Sequence, residues 1–98
     1  MPVAVIQEWR EEETDRSTKN YDAINERLKA QGSPPEGLII HTAGFFGQGF
    51  RVFDVWESAD DFERFRRDRL QPLIAEIADA DAPPPETTIY ELHSVIRP

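Results

Sequence analysis

Apolar positions along this chain recur with two different periods, and the switches between them predict the elements. Residues 3–10, VAVIQEWR, open with consecutive apolar side chains and then alternate with polar ones. That pattern suits a β-strand buried on both faces at its start and reaching solvent at its end. After an acidic link over residues 11–14 the spacing changes. Tyr21, Ile24 and Leu28 stand at i, i+3 and i+7, the apolar stripe of a helix that Asp15 or Ser17 can cap and that runs to Ala30. Gln31-Gly32-Ser33-Pro34-Pro35 stops it, because glycine suits the position just past a helix and proline cannot continue one.

Residues 37–58, GLIIHTAGFFGQGFRVFDVWES, place two apolar arms around Gly47-Gln48-Gly49, which predicts a β-hairpin. Ser58 with Asp61 three residues on forms a capping box in which Asp replaces the usual Glu, and Asp60 and Asp61 complement the positive end of the helix dipole. Phe62, Phe65, Leu70, Leu73, Ile74 and Ile77 mark the apolar face of a helix from residue 59 to about 80, which Pro72 should kink or restart near Leu70. Ala82-Pro83-Pro84-Pro85 is a stiff connector, and residues 87–96, TTIYELHSVI, predict a fourth strand.

The order βαββαβ predicts one α+β domain over residues 1–98, ferredoxin-like, with both helices on one face of a four-stranded antiparallel sheet. Every strand carries apolar residues on both parities, for example Val3 and Val5 against Ala4 and Ile6, or Val52 against Phe53 and Val55. Two helices cover only one face, so the second needs another layer, and a second copy of the chain is the simplest one. A homodimer is expected on that ground. Parity groups Val5, Gln7 and Trp9 with Ile39, His41 and Ala43, with Val52, Asp54 and Trp56, and with Glu91, His93 and Val95. The more uniformly apolar sets are expected under the helices. This mixed set would then face the partner and line a pocket between the two sheets.

Composition narrows the partners. Eleven Lys and Arg against 19 Asp and Glu give a net charge of -8, which argues against a nucleic acid or an anionic membrane as partner. The absence of cysteine excludes a disulfide framework, a thiolate nucleophile and a cysteine-based zinc site. No apolar run approaches a membrane span and residues 1–9 lack a basic leader, so a soluble, cytoplasmic protein is the default expectation. Arg64, Arg66, Arg67 and Arg69 form a basic cluster that is expected to be a solvated helix face paired with nearby carboxylates.

The candidate chemistry lies on the hairpin. A turn of two residues sets His41 opposite Asp54, and a turn of three sets it opposite Val55. With Asp54 accepting from one ring nitrogen, the other becomes an oriented base near neutral pH; otherwise His41 is a satisfied structural imidazole. Trp56 either lines a substrate wall with Phe45 and Phe50 or packs against Phe62 or Phe65. Gln7, Trp9, Glu91 and His93 complete the substrate-facing set. No HxH or HExxH spacing points to a metal, no glycine-rich loop precedes a helix to cradle a phosphate, and no nucleophile elbow is present.

The strand end VFDVWES followed at once by the helix DDFERFRRDRLQPLI resembles the dimeric α/β-barrel superfamily, particularly its antibiotic-biosynthesis-monooxygenase-like branch and small actinobacterial relatives. The resemblance implies a dimeric barrel with a pocket for an apolar, aromatic or polyketide-like molecule. It spans several reactions: cofactor-independent monooxygenation, haem degradation and muconolactone isomerisation, besides members with no known reaction. Haem-degrading members use an Asn, a Trp and a helix-borne His; Trp56 matches the Trp, but no His lies between His41 and His93, and strand one offers Gln7 in place of Asn. Two readings follow. One is an enzyme without cofactor, monooxygenase-like or isomerase/cyclase-like, with His41 as base and Asp54 orienting it. The other is a non-catalytic homodimer that binds a ligand or serves as a stress or accessory protein.

Overall fold

The hairpin forms one half of the sheet: β2 (Leu38–Phe46) and β3 (Gly49–Trp56) pair antiparallel, with Phe46 opposite Gly49 across a two-residue turn. Gly47 in that turn has φ +49°, a left-handed conformation that glycine adopts at little cost. The computed structural model describes residues 1–9, 18–47, 49–77 and 84–97. The acidic link over residues 11–14, the capping residues Asp15 and Ser17, Gln48 of the turn, the helix end beyond residue 77, and Ala82 and Pro83 of the connector lie outside the described residues.

β1 (Val3–Trp9) inserts beside β3, and β4 (Glu86–Glu91) pairs on its far side, giving an antiparallel sheet in the order β2-β3-β1-β4. α1 (Lys19–Ala30) connects β1 to β2, with Thr18 at its N-cap position, one residue beyond the predicted Ser17. A continuous helical rod connects β3 to β4: α2 (Ala59–Phe65), a π turn (Arg66–Leu70) and α3 (Gln71–Ile77). The chain has the ferredoxin-like α+β fold expected from its pattern.

The rod begins as its capping sequence predicts. Ser58 is extended and its Oγ accepts from the Asp61 backbone N–H at 3.1 Å. Of the two outcomes expected at Pro72, a kink or a restart near Leu70, the helix shows the restart, the α-helical repeat resuming at Gln71. A proline ring clashes with the carbonyl four residues back, and the rod accommodates it by widening into a π turn, in which the Gln71 N–H reaches back five residues to the Arg66 carbonyl.

The register shows which side chains share a face. Val3, Val5, Gln7 and Trp9 oppose Trp56, Asp54, Val52 and Phe50, and on β2 His41, Ala43 and Phe45 oppose Asp54, Val52 and Phe50. A bulge between Leu38 and Ile40 sets Leu38, instead of the expected Ile39, opposite Trp56. This mixed face lies under the helices, the reverse of the expected orientation. Val3, Val5, Trp56 and Phe62 form a buried cluster, with Leu38 and Phe65 packed against it. Trp56 contacts both candidate neighbours, its ring 5.7 Å from Phe62 and 5.2 Å from Phe65. The more uniformly apolar face is the one the helices leave open; Ala4 and Val55 on it are buried, while Ile40 and Tyr90 are exposed and Ile6 and Phe53 half-buried. The physical reason is visible in α1, which buries none of its residues fully: a cavity lies beneath the helices, and a cavity wall tolerates polar groups provided they are paired.

Strand four also ends earlier than predicted. β4 pairs only with β1, and its last rung is the Leu92 N–H donating to the Pro2 carbonyl at 2.9 Å. Past that bond His93 and Val95 stand outside the sheet.

Candidate active site

Asp54 is the one buried charged side chain among the described residues, 5% exposed, and its position follows from the hairpin register. The two-residue turn sets His41 directly opposite it. His41 Nδ1 lies 2.6 Å from Asp54 Oδ1, and Trp56 Nε1–H donates to Asp54 Oδ2 at 3.3 Å. A carboxylate only accepts, so Nδ1 carries a hydrogen, and in the neutral imidazole Nε2 then presents a lone pair. That lone pair accepts from the Tyr21 hydroxyl, 2.5 Å away. The Tyr21 and His41 rings also lie nearly parallel, 5.8 Å apart. Trp56, Asp54, His41 and Tyr21 thus form one hydrogen-bonded chain running from the core to the surface.

The chain borders a cavity of about 470 Å³ between the sheet and the helices, within the usual size of a small-molecule site. Gln7, Val52, His41, Asp54 and Trp56 form its floor on the sheet. Leu28 and Asn25 of α1, Phe62 and Phe65 of α2, and Arg69 of the π turn close it from above, with Pro34 and Pro35 at one end. Its wall is largely apolar, with Gln7 and the His41–Asp54 pair as the polar groups of the floor. Among the described residues no group of three or more His, Asp or Glu gathers in a way that would hold a metal ion.

Of the residues expected in the site, Gln7, His41, Asp54 and Trp56 line this cavity, and the others stand elsewhere. Trp9, Phe45 and Phe50 form an aromatic cluster beside it, with Phe50 5.1 Å from Phe45, 6.0 Å from Trp9 and 5.5 Å from Tyr21. Phe50 packs against Tyr21, and none of the three lines the cavity. Glu91 lines a separate shallow depression with Met1, Ser58 and Tyr90, and His93 is exposed beyond the end of β4. Both are corrections that follow from the early end of that strand and from the position of the cavity under the helices. Tyr21, Asn25 and Arg69 were missed as site residues. Tyr21 carried a signal, since it is the one polar-tipped member of the predicted α1 stripe.

The arginine cluster behaves as expected at three of its four positions. Arg64 pairs with Asp61 at 3.2 Å, Arg66 with Glu63 at 2.8 Å and Arg67 with Asp68 at 2.8 Å. The hydrogen bond from Arg67 holds the Asp68 carboxyl below its ordinary range, and the same bond raises Arg67. Both side chains face solvent. Arg69 departs from the pattern: it donates through Nε to Gln31 Oε1 at 2.7 Å and through Nη2 to the Ser33 carbonyl at 3.0 Å, and has no carboxylate partner among the described residues.

No family model and no curated protein matches the chain. Solved structures do match over nearly its whole length. The Mycobacterium tuberculosis protein Rv0793 superimposes with a TM-score of 0.70 at 17% identity, covering 99% of this chain and 100% of that one. An antibiotic biosynthesis monooxygenase-like protein of Caulobacter crescentus gives 0.68 at 12% identity, covering 95% and 91%. SnoaB, a cofactor-independent oxygenase from Streptomyces nogalater, gives 0.65 at 13% identity, covering 97% and 96%. At these identities the likeness establishes the fold. The chain has the ferredoxin-like architecture of antibiotic-biosynthesis-monooxygenase-like proteins, as the resemblance of its hairpin and second helix implied.

Proposed function

We propose that this protein is a small-molecule enzyme, monooxygenase-like or isomerase/cyclase-like, acting without a cofactor on an apolar, aromatic or polyketide-like molecule held between the sheet and the helices. The observation that carries the reading is the hydrogen-bonded chain Trp56–Asp54–His41–Tyr21, of which Trp56, Asp54 and His41 border the cavity. Asp54 holds the Nδ1–H tautomer of His41 and stabilises the imidazolium that forms when Nε2 takes a proton. Tyr21 does not line the cavity, whereas His41 does. His41 is therefore the base, and the Tyr21 hydroxyl holds Nε2 until a carbon acid takes its place. The resulting carbanion then reacts with O₂, or is reprotonated or cyclised. A homodimer formed through the open sheet face, in the cytoplasm, completes the proposal.

The test uses anthrone, a flat tricyclic carbon acid, and follows exchange of its methylene hydrogens in D₂O by NMR under nitrogen, so that proton abstraction is read apart from oxygenation. Enzyme should accelerate exchange, and His41→Ala and Asp54→Asn should lower the rate roughly 100-fold or more. Exchange at the parent rate in both variants would overturn the assignment of the base. Binding without any exchange would hand the protein to the second reading, a ligand-binding dimer.

A further inference from the structure

Arg69 is the exception in its cluster, and its surroundings assign it a use. The chain carries 19 carboxylates against 11 cationic side chains. Arg64, Arg66 and Arg67 each find one of those carboxylates. Arg69, half-buried on the same rod, faces the cavity. It is also fixed in place: the bonds to Gln31 and Ser33 clamp it to the loop that follows α1, and its guanidinium stacks 5.9 Å from the Phe65 ring. A guanidinium has five N–H donors in a rigid fork suited to a carboxylate, so donors remain for a ligand. Lys29 also lines the cavity, but its ammonium sits 4.0 Å from Glu26 and is largely solvated.

We propose that the ligand is an organic acid with an apolar aromatic body seated against Leu28, Leu38 and Phe65, the half-buried apolar side chains of the cavity wall, and a single carboxylate received by Arg69. In a protein of net charge -8 an anion is repelled at long range, so a preorganised cation inside the cavity is what makes an acid the preferred ligand. The inference rests on the preceding section for where the ligand sits, and it concerns binding alone.

The test compares two probes of one shape, 2-naphthoate and 2-naphthamide, by calorimetry and by quenching of tryptophan fluorescence. Naphthoate should bind about tenfold more tightly than the amide, as one charge-assisted contact at a half-buried site predicts. Arg69→Gln should erase that preference, weakening naphthoate about tenfold more than it weakens the amide. Arg67→Gln, the same charge change on the exposed side of the rod, should keep it. Equal binding of the two probes, binding of neither, or an unchanged preference in Arg69→Gln would overturn the proposal. Acid preference in a protein that exchanges no protons would overturn the base and leave the anchor standing; proton exchange without acid preference would do the reverse.

Discussion

Asp54 has both carboxylate oxygens engaged, one by an indole from the core and one by an imidazole facing the cavity, and the two bonds fail differently when the residue is changed. Asp54→Ala orphans the Trp56 N–H in a place 1% exposed, whereas His41, with a side chain 34% exposed, recovers a partner from water. The loss should be about 1–3 kcal/mol, measured by urea unfolding, and nearly all of it should come from the indole. Tyr21→Phe removes only the outer bond of the chain and should change stability by less than about 0.5 kcal/mol. It should nevertheless free Nε2, visible as a changed ¹⁵N shift of His41. A Tyr21→Phe loss as large as that of Asp54→Ala would make the whole chain structural. The pairing of His41 with Asp54 was half legible in the sequence, because it depended on the length of one turn. Tyr21 was visible as a member of the α1 stripe, but its partner lies 20 positions away on another element, and spacing along a helix carries no information about that.

At the scale of elements, the period-2 and period-3.6 patterns gave the four strands and the helices between them in the right order, with β4 ending at Glu91 instead of near residue 96. What they missed were insertions of one residue. The bulge at Ile39 leaves the apolar run LII unbroken while shifting its phase, so Leu38 takes the position expected of Ile39. The π turn likewise adds one residue to the helical repeat, and Pro72 marks the place without saying whether the rod kinks or widens. Glycines show where two elements approach. Gly37 has φ +88°, and a Cβ there would fall on the Asp61 side chain in the first turn of α2. Gly47 is also left-handed, at φ +49°, but nothing lies within 4 Å of its missing Cβ. Gly47→Ala should therefore cost only the left-handed penalty, about 1 kcal/mol. Gly37→Ala should cost roughly 2 kcal/mol or more, because the clash adds to that penalty. Thermal unfolding of the two variants side by side reads the difference; equal losses would show that Asp61 moves aside freely.

For the whole molecule, the chain needs a cover for the sheet face its helices leave bare. Patterning put the more uniformly apolar face under the helices, and the structure reverses this: both faces are apolar, and the cavity draws the paired polar groups to the helix side. On the open side Ile40 is 51% and Tyr90 46% exposed, flanking the half-buried Phe53 and Ile6 in the middle of the sheet. Toward one end Arg51 is tied to Glu8 at 2.9 Å and stacks 4.3 Å from the Phe46 ring, so the apolar centre has a polar margin there. An apolar centre with a polar margin is the make-up of a protein interface. A second copy would bring the same face, and sedimentation should give a particle of twice 11.3 kDa. Ile40→Lys should yield a folded monomer by circular dichroism and sedimentation, because that side chain already meets solvent and the fold does not depend on it. Salt separates this contact from a charge-driven one. Each copy carries -8, so association through the apolar face works against mutual repulsion, and screening should tighten the dimer as ionic strength rises. A dimer held by ion pairs would loosen instead, and a chain that sediments as a monomer at every salt and protein concentration would leave the open face without a second copy to cover it.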